Sequence, residues 1–113
     1  MEKKHTIVRD STLLLSAVES MILNQTRIIY ITNENEKLLG VFSEGDIIRR
    51  AISNRSFDVP ISKVMVSDFD FAERDYETNL LKDLMIKKKH IEIPIIDEDG
   101  RIISIISIHD LIE

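Results

Sequence analysis

Two short runs hold the residue types best suited to chemistry, Ser43-Glu44-Gly45-Asp46 and Ser107-Ile108-His109-Asp110. In each, a hydroxyl stands three residues ahead of a carboxylate, and apolar residues follow at once (Ile47-Ile48; Leu111-Ile112). Two accounts compete. Ser-x-x-Asp before an apolar run is a capping-box pattern, with Ser at the helix N-cap and an acidic residue at N3. The same strand-to-helix junction also presents free backbone N–H groups and the positive end of the helix dipole, which suit a phosphate. The Ser hydroxyl can join those donors, and the Asp carboxylate can accept from both hydroxyls of a ribose. Gly40, on the strand before the first run, lacks a Cβ and would let a ligand approach the backbone. A protonated His109 could attract a phosphate, or the ring could simply face solvent. Capping explains a single copy; the repetition favours a nucleoside-phosphate site.

The elements that must position these residues also come twice. A shift of 64 residues aligns 7–49 with 71–113 without a gap. Identities fall at Met21/Met85, Ile22/Ile86, Ile29/Ile93, Ile31/Ile95, Glu34/Glu98, Ser43/Ser107 and Asp46/Asp110. Each copy begins with a short apolar entry, Ile7-Val8 or Phe71-Ala72. A helix is expected next, from Leu14, Ala17, Val18, Met21 and Ile22 in one copy and Leu80, Leu81, Leu84 and Met85 in the other. Ser11 or Thr12, and Thr78, are the expected N-caps. Two strands then flank an Asn/Asp/Glu-rich turn, in which Gly100 supplies positive φ and Asn35 could take that role in the first copy. A final helix carries Ile47, Ile48, Ala51 and Ile52, and only Leu111 and Ile112 in the second copy. Each unit therefore reads β-α-β-β-α. The fold class is mixed α+β, with repeats over 1–56 and 57–113 and a connection over about 53–70, where Pro60 blocks any helix before it and Ile61, Val64 and Met65 suggest a short helical turn after it. The abrupt end of the last helix suggests a fragment of a longer protein.

Composition narrows the function. The net charge is −5, which disfavours sequence-independent nucleic-acid binding. The run Lys87-Lys88-Lys89-His90 reads as the cationic end of a helix. Without Cys there is no disulfide or thiolate chemistry, and no apolar run approaches the ~18 residues of a membrane span. The N-terminal residues lack a signal-peptide core, so a cytoplasmic location is expected. His5, His90 and His109 have no metal-ligand spacing, and Asp68, Asp70, Glu73, Asp75 and Glu77 lack the pattern of a calcium loop. No nucleophile with a base and no acid–base pair is visible, so no catalysis is expected. Arg49 and Arg50, one turn after Asp46, suit either a solvated helix face or a phosphate.

The repeat with its Gly-x-x-Ser-x-x-Asp ending (Gly40, Ser43, Asp46) resembles the CBS domain, over nearly the whole chain from Ile7 to Ile112. Lys88 to Asp97 and Asp46 to Arg50 add to the likeness. The resemblance implies paired repeats about a pseudo-twofold axis, with adenosine ligands (AMP, ADP, ATP or S-adenosylmethionine) in the clefts between them. It assigns ribose to Asp46 and Asp110 and phosphate to Ser43 and Ser107. The second copy departs from the pattern with Ser104 for Gly40, with Ile108 and His109 for Glu44 and Gly45, and with Pro94 where the first has Tyr30, which joins Gly40, Ser43 and Asp46 as an expected ligand-binding residue. The Asp46 cleft is therefore the favoured site. The resemblance also implies a homodimer of pairs through helix faces that include Met21, Met85 or their neighbours. Phe42 to Arg50, followed by Val59 to Met65, is similar to the CBS pair that precedes a sugar-phosphate nucleotidyltransferase domain in some bacterial proteins. The function implied is an adenine-nucleotide sensor acting on an attached domain; the alternative is a structural dimerisation module with empty clefts.

Overall fold

A computed structural model describes residues 4–112. The chain divides into two units, Met1–Phe69 and Asp70–Glu113. In the first, β1 (Thr6–Arg9) leads to α1 (Leu14–Asn24), β2 (Ile28–Thr32), β3 (Leu38–Ser43) and α2 (Glu44–Ile52). In the second, β4 (Ala72–Glu73) leads to α3 (Thr78–Lys88), β5 (Glu92–Ile96), β6 (Ile102–Ser107) and α4 (Ile108–Leu111). Each unit thus has the expected β-α-β-β-α order, and each forms a three-stranded sheet ordered as in the sequence.

The two sheets share one register. β1 pairs parallel to β2, with Val8 opposite Ile31, and β4 pairs parallel to β5, with Ala72 opposite Ile95. The hairpins are antiparallel, with Ile28 opposite Ser43 and Glu92 opposite Ser107. Even the irregularity recurs, between Ile31 and Thr32 and between Ile95 and Ile96. The turns match as well. Asn33 Oδ1 accepts from the N–H groups of Asn35 and Lys37, as Asp97 Oδ1 does from Asp99 and Arg101. Positive φ falls at Glu36 (65°) and Gly100 (81°), so the first copy places it at Glu36 and not at Asn35. The side-chain bonds of Asn33 hold the turn in a shape whose left-handed residue lies one position later.

Each helix buries one stripe. Leu14, Ala17 and Met21 of α1 join Ile29, Ile31, Phe42 and Ile61 in the first core. Leu81 and Met85 of α3 join Ile93 and Ile95 in the second. Met21 and Met85 are therefore core residues, while their neighbours Ile22, Leu23 and Ile86 are exposed. Helix starts differ from expectation. The N-cap of α1 is Leu13, which offers no side-chain bond. Neither Ser11 nor Thr12 is needed, because the N–H groups of Leu14 and Leu15 donate to the carbonyls of Val59 and Phe57. The N-cap of α3 is Glu77 rather than Thr78; its carboxylate accepts from the N–H groups of Asn79 and Leu80.

Residues 57–66, placed in the second repeat by sequence, pack on the first unit. Phe57, Val59, Val64 and Met65 line its core around the fully buried Ile61. A 3-10 turn at Ile61–Lys63 follows Pro60, and Val66 pairs with Val41 through reciprocal bonds of 3.0 and 2.8 Å. Among the described residues no helix is long and apolar enough to cross a membrane.

Candidate functional site

The first Ser-x-x-Asp run lies where β3 turns into α2, and the capping box there is complete. Ser43 Oγ accepts from Asp46 N–H (3.3 Å), and Asp46 Oδ2 accepts from Ser43 N–H (2.9 Å) and from the Ser43 hydroxyl (2.9 Å). The other carboxylate oxygen, Oδ1, takes a 2.7 Å bond from Arg49 one turn along the helix. Partial burial pushes the Asp46 carboxyl up, but the bonds from Ser43 and Arg49 outweigh it and hold the group below its ordinary value of 3.8. Asp46 is thus an anion with both oxygens aligned.

Asp46 faces a cleft of about 340 Å³ whose lining belongs entirely to the first unit. Phe42, Val64 and Val66 give it apolar surface; Asp46, Arg49, Arg50, Ser53, Arg55 and Lys63 give it polar groups. That volume and mixture fall in the range of small-molecule sites. Arg50 is held by a 2.7 Å bond from Nε to the Ser56 carbonyl. Ser53 turns its hydroxyl back to the Arg49 carbonyl at 2.8 Å. Glu44, which would repel a phosphate, is exposed and does not line the cleft.

The structure redistributes the other expected site residues. Gly40 is buried, but the space its missing Cβ leaves is filled by the chain itself. A Cβ there would meet Met65 Cγ and Sδ at 2.8 Å and the Val66 carbonyl at 2.9 Å. Gly40 thus admits the connector, not a ligand, to the strand. Tyr30 is 1% exposed in the middle of β2 and is not a lining residue of the cleft. At the second junction Ser107 Oγ accepts from His109 N–H (3.1 Å) and Asp110 Oδ2 accepts from Ser107 N–H (2.9 Å). Ser107 is buried, whereas His109 and Asp110 are exposed on the four-residue α4. Among the lining residues that sequence reasoning did not assign to a site are the cations Arg55 and Lys63. Each stands in a loop or a short turn whose local sequence does not mark it as lining a cleft, and only tertiary folding brings them beside Arg49 and Arg50. Among the described residues no cluster of His, Asp and Glu could hold a metal ion.

Two β-α-β-β-α units with one register, each ending in the same Ser-x-x-Asp junction, define a class of tandem-repeat modules. The CBS domain model matches residues 1–53 and again 61–113, and the chain belongs to that family as a tandem pair. It is 28% identical over 105 residues to a 17.7 kDa protein of Acidianus ambivalens, covering 93% of this chain and 63% of that one. It is 24% identical over 102 residues to arabinose 5-phosphate isomerase GutQ of Salmonella typhi, covering 87% of this chain and 32% of the enzyme. The chain thus spans less than two thirds of the length of either curated relative. Among solved structures, the CBS domain protein PAE2072 from Pyrobaculum aerophilum, complexed with AMP, superposes with a TM-score of 0.82 at 15% identity, over 99% of this chain and 86% of that one.

Proposed function

We propose that this chain is a nucleotide-sensing module whose first repeat holds an adenine nucleotide in the Asp46 cleft and thereby biases an attached domain. The observation that carries this reading is the lining of one cleft by apolar surface for a base, a carboxylate for a ribose and cations for phosphate. Asp46 Oδ2 serves the cap, and Oδ1 exchanges Arg49 for ribose hydroxyls, freeing the guanidinium for phosphate. Ser43 keeps its capping bonds and presents the start of α2. The AMP complex of PAE2072 supports adenosine as the nucleoside. Asp110, Ser107 and His109 would form a second, weaker site. The attached domain would act on a sugar phosphate, a nucleotidyltransferase by motif likeness or an isomerase by likeness to GutQ. A cytoplasmic location fits ligands of this kind.

A specific observation favours a second reading, a dimerisation module with empty clefts. At both junctions the Ser and the Asp are engaged in a capping box, and Leu15, Ile22 and Leu23 leave apolar surface exposed on α1. Thermal unfolding with AMP, ADP, ATP or S-adenosylmethionine separates the two. A ligand at ~100 times its dissociation constant adds about 2.7 kcal/mol. The sensor reading expects a rise with an adenine nucleotide that Asp46→Asn removes, since the amide keeps an acceptor for the cap but loses the anion. No rise with any of the four would leave the dimerisation module standing.

A further inference from the structure

The charges around the cleft go beyond what a nucleoside monophosphate needs. Among the described residues, four cations line it, Arg49, Arg50, Arg55 and Lys63, against the one carboxylate of Asp46. Arg49 is already paired with that carboxylate at 2.7 Å. The Arg50 bond to the Ser56 carbonyl fixes the side chain but neutralises nothing. Among the described residues, no carboxylate lies within ion-pair distance of Arg50, Arg55 or Lys63.

In an acidic chain, with 20 Asp and Glu against 15 Lys and Arg, carboxylate partners are plentiful. Three cations left without one around a single cavity repel each other, and a polyanion relieves that repulsion. A solvated helix face does not explain them. Arg50 comes from the last turn of α2, where the helix dipole favours a cation, but Arg55 lies in the loop beyond it and Lys63 in the 3-10 turn. Separate elements converge on one cleft, beside the apolar surface of Phe42, Val64 and Val66.

Resting on the nucleotide reading above, we infer that the cleft selects a nucleoside di- or triphosphate over a monophosphate and over S-adenosylmethionine. Every phosphate beyond the first adds about one negative charge near neutral pH, and each can meet a further cation. S-adenosylmethionine brings a sulfonium cation to a cationic cleft and is disfavoured. The cations lie at the surface, so each added phosphate should improve binding roughly two- to fivefold at low salt, with the gain shrinking as salt rises.

Calorimetric titration of the full chain, free of magnesium, tests this with AMP, ADP, ATP, S-adenosylmethionine, GTP and inorganic tripolyphosphate at low and high salt. The expected order is ATP, then ADP, then AMP, then S-adenosylmethionine, with the spread narrowing in high salt. The double variant Arg55→Gln/Lys63→Gln alters exposed side chains, and circular dichroism checks its fold. It should weaken ATP more than ADP, and ADP more than AMP, and so compress the series. AMP or S-adenosylmethionine binding as tightly as ATP overturns the inference and leaves the nucleotide reading intact, as does a full phosphate series retained in the folded double variant. GTP matching ATP supports polyphosphate selection and overturns adenine recognition. Tripolyphosphate matching ATP overturns the nucleoside part of both. Absence of binding by every ligand overturns the two together.

Discussion

The hairpins of the two repeats pair residue for residue under one shift, yet their cores close differently. Among the described residues, seven buried apolar side chains form the first core and four the second. Four positions correspond directly, Ala17/Leu81, Met21/Met85, Ile29/Ile93 and Ile31/Ile95. Leu14 aligns with Thr78 at the start of α3, and Phe42 with the partly buried Ile106. Ile61 comes from the connector, which packs against the first core. That segment caps α1 with its carbonyls, pairs Val66 with Val41 and walls the cleft with Lys63, Val64 and Val66. The hairpin register is common property of the duplication; the cleft of the first repeat depends also on the connector laid against it.

The largest expected effect breaks the comparison at its centre. Ile61→Ala empties a fully buried site and should cost about 2–5 kcal/mol. Amide hydrogen exchange should localise the loss, with protection falling in β2 and β3 more than in β5 and β6. Equal loss in both hairpins would mean that the connector supports the two repeats alike.

A smaller effect comes from exchanging the residues that differ at one matched position. Gly40 and Ser104 occupy equivalent places, opposite Ile31 and Ile95. Gly40→Ser forces a Cβ against Met65 and the Val66 backbone. The Met side chain can turn away, but the carbonyl must move with the connector, so a cost of about 1–3 kcal/mol is expected. Ser104→Gly, at an exposed residue, should cost only about 0.5–1 kcal/mol in backbone entropy. Denaturant unfolding of both variants checks the asymmetry. Similar costs would show that the close approach of Met65 and Val66 is not what Gly40 serves.

These contrasts also show what could be read from sequence. Alternating apolar runs, the Asn/Asp turns and Gly100 depend on residues near in the chain, and the hairpins and their matched register followed from them. The start of α1 did not, because Phe57 and Val59 supply its acceptors across more than forty residues of chain. Gly40 was legible as a place of close approach, but not which atoms come close. Ser43 and Asp46 were legible as a pair, since their bonds span three residues. Arg55 and Lys63 were not, because nothing local distinguishes a cation that lines a cleft from one that faces water.

The smallest expected effect concerns one further matched set. Thr6, Asn24 and Thr26 join through neutral bonds, Thr6 Oγ1 to Thr26 Oγ1 at 2.6 Å and Asn24 Nδ2 to Thr6 Oγ1 at 3.2 Å. Their counterparts under the shift are Asp70, Lys88 and His90, which form a charged cluster. Asp70 contacts His90 Nε2 at 2.7 Å and Lys88 Nζ at 3.2 Å. The His90 bond, and then Lys88, hold the Asp70 carboxyl below its ordinary value of 3.8 despite partial burial. A lowered folded-state pKa means that the unfolded chain binds more protons in this range, so stability rises with pH. The contribution is complete above the unfolded carboxyl pKa and is lost as pH falls through the folded one. Asp46 and Asp97 are lowered too, so acid weakens both repeats. Asp70→Asn should nevertheless flatten the acid limb, by about 0.2–1 kcal/mol for a partly exposed pair. Denaturant unfolding from pH 6 down towards 3 measures it, with the variant and the native chain converging as Asp70 takes its proton. Parallel curves would mean that the charged cluster contributes no more to the second repeat than the hydroxyls and amide contribute to the first.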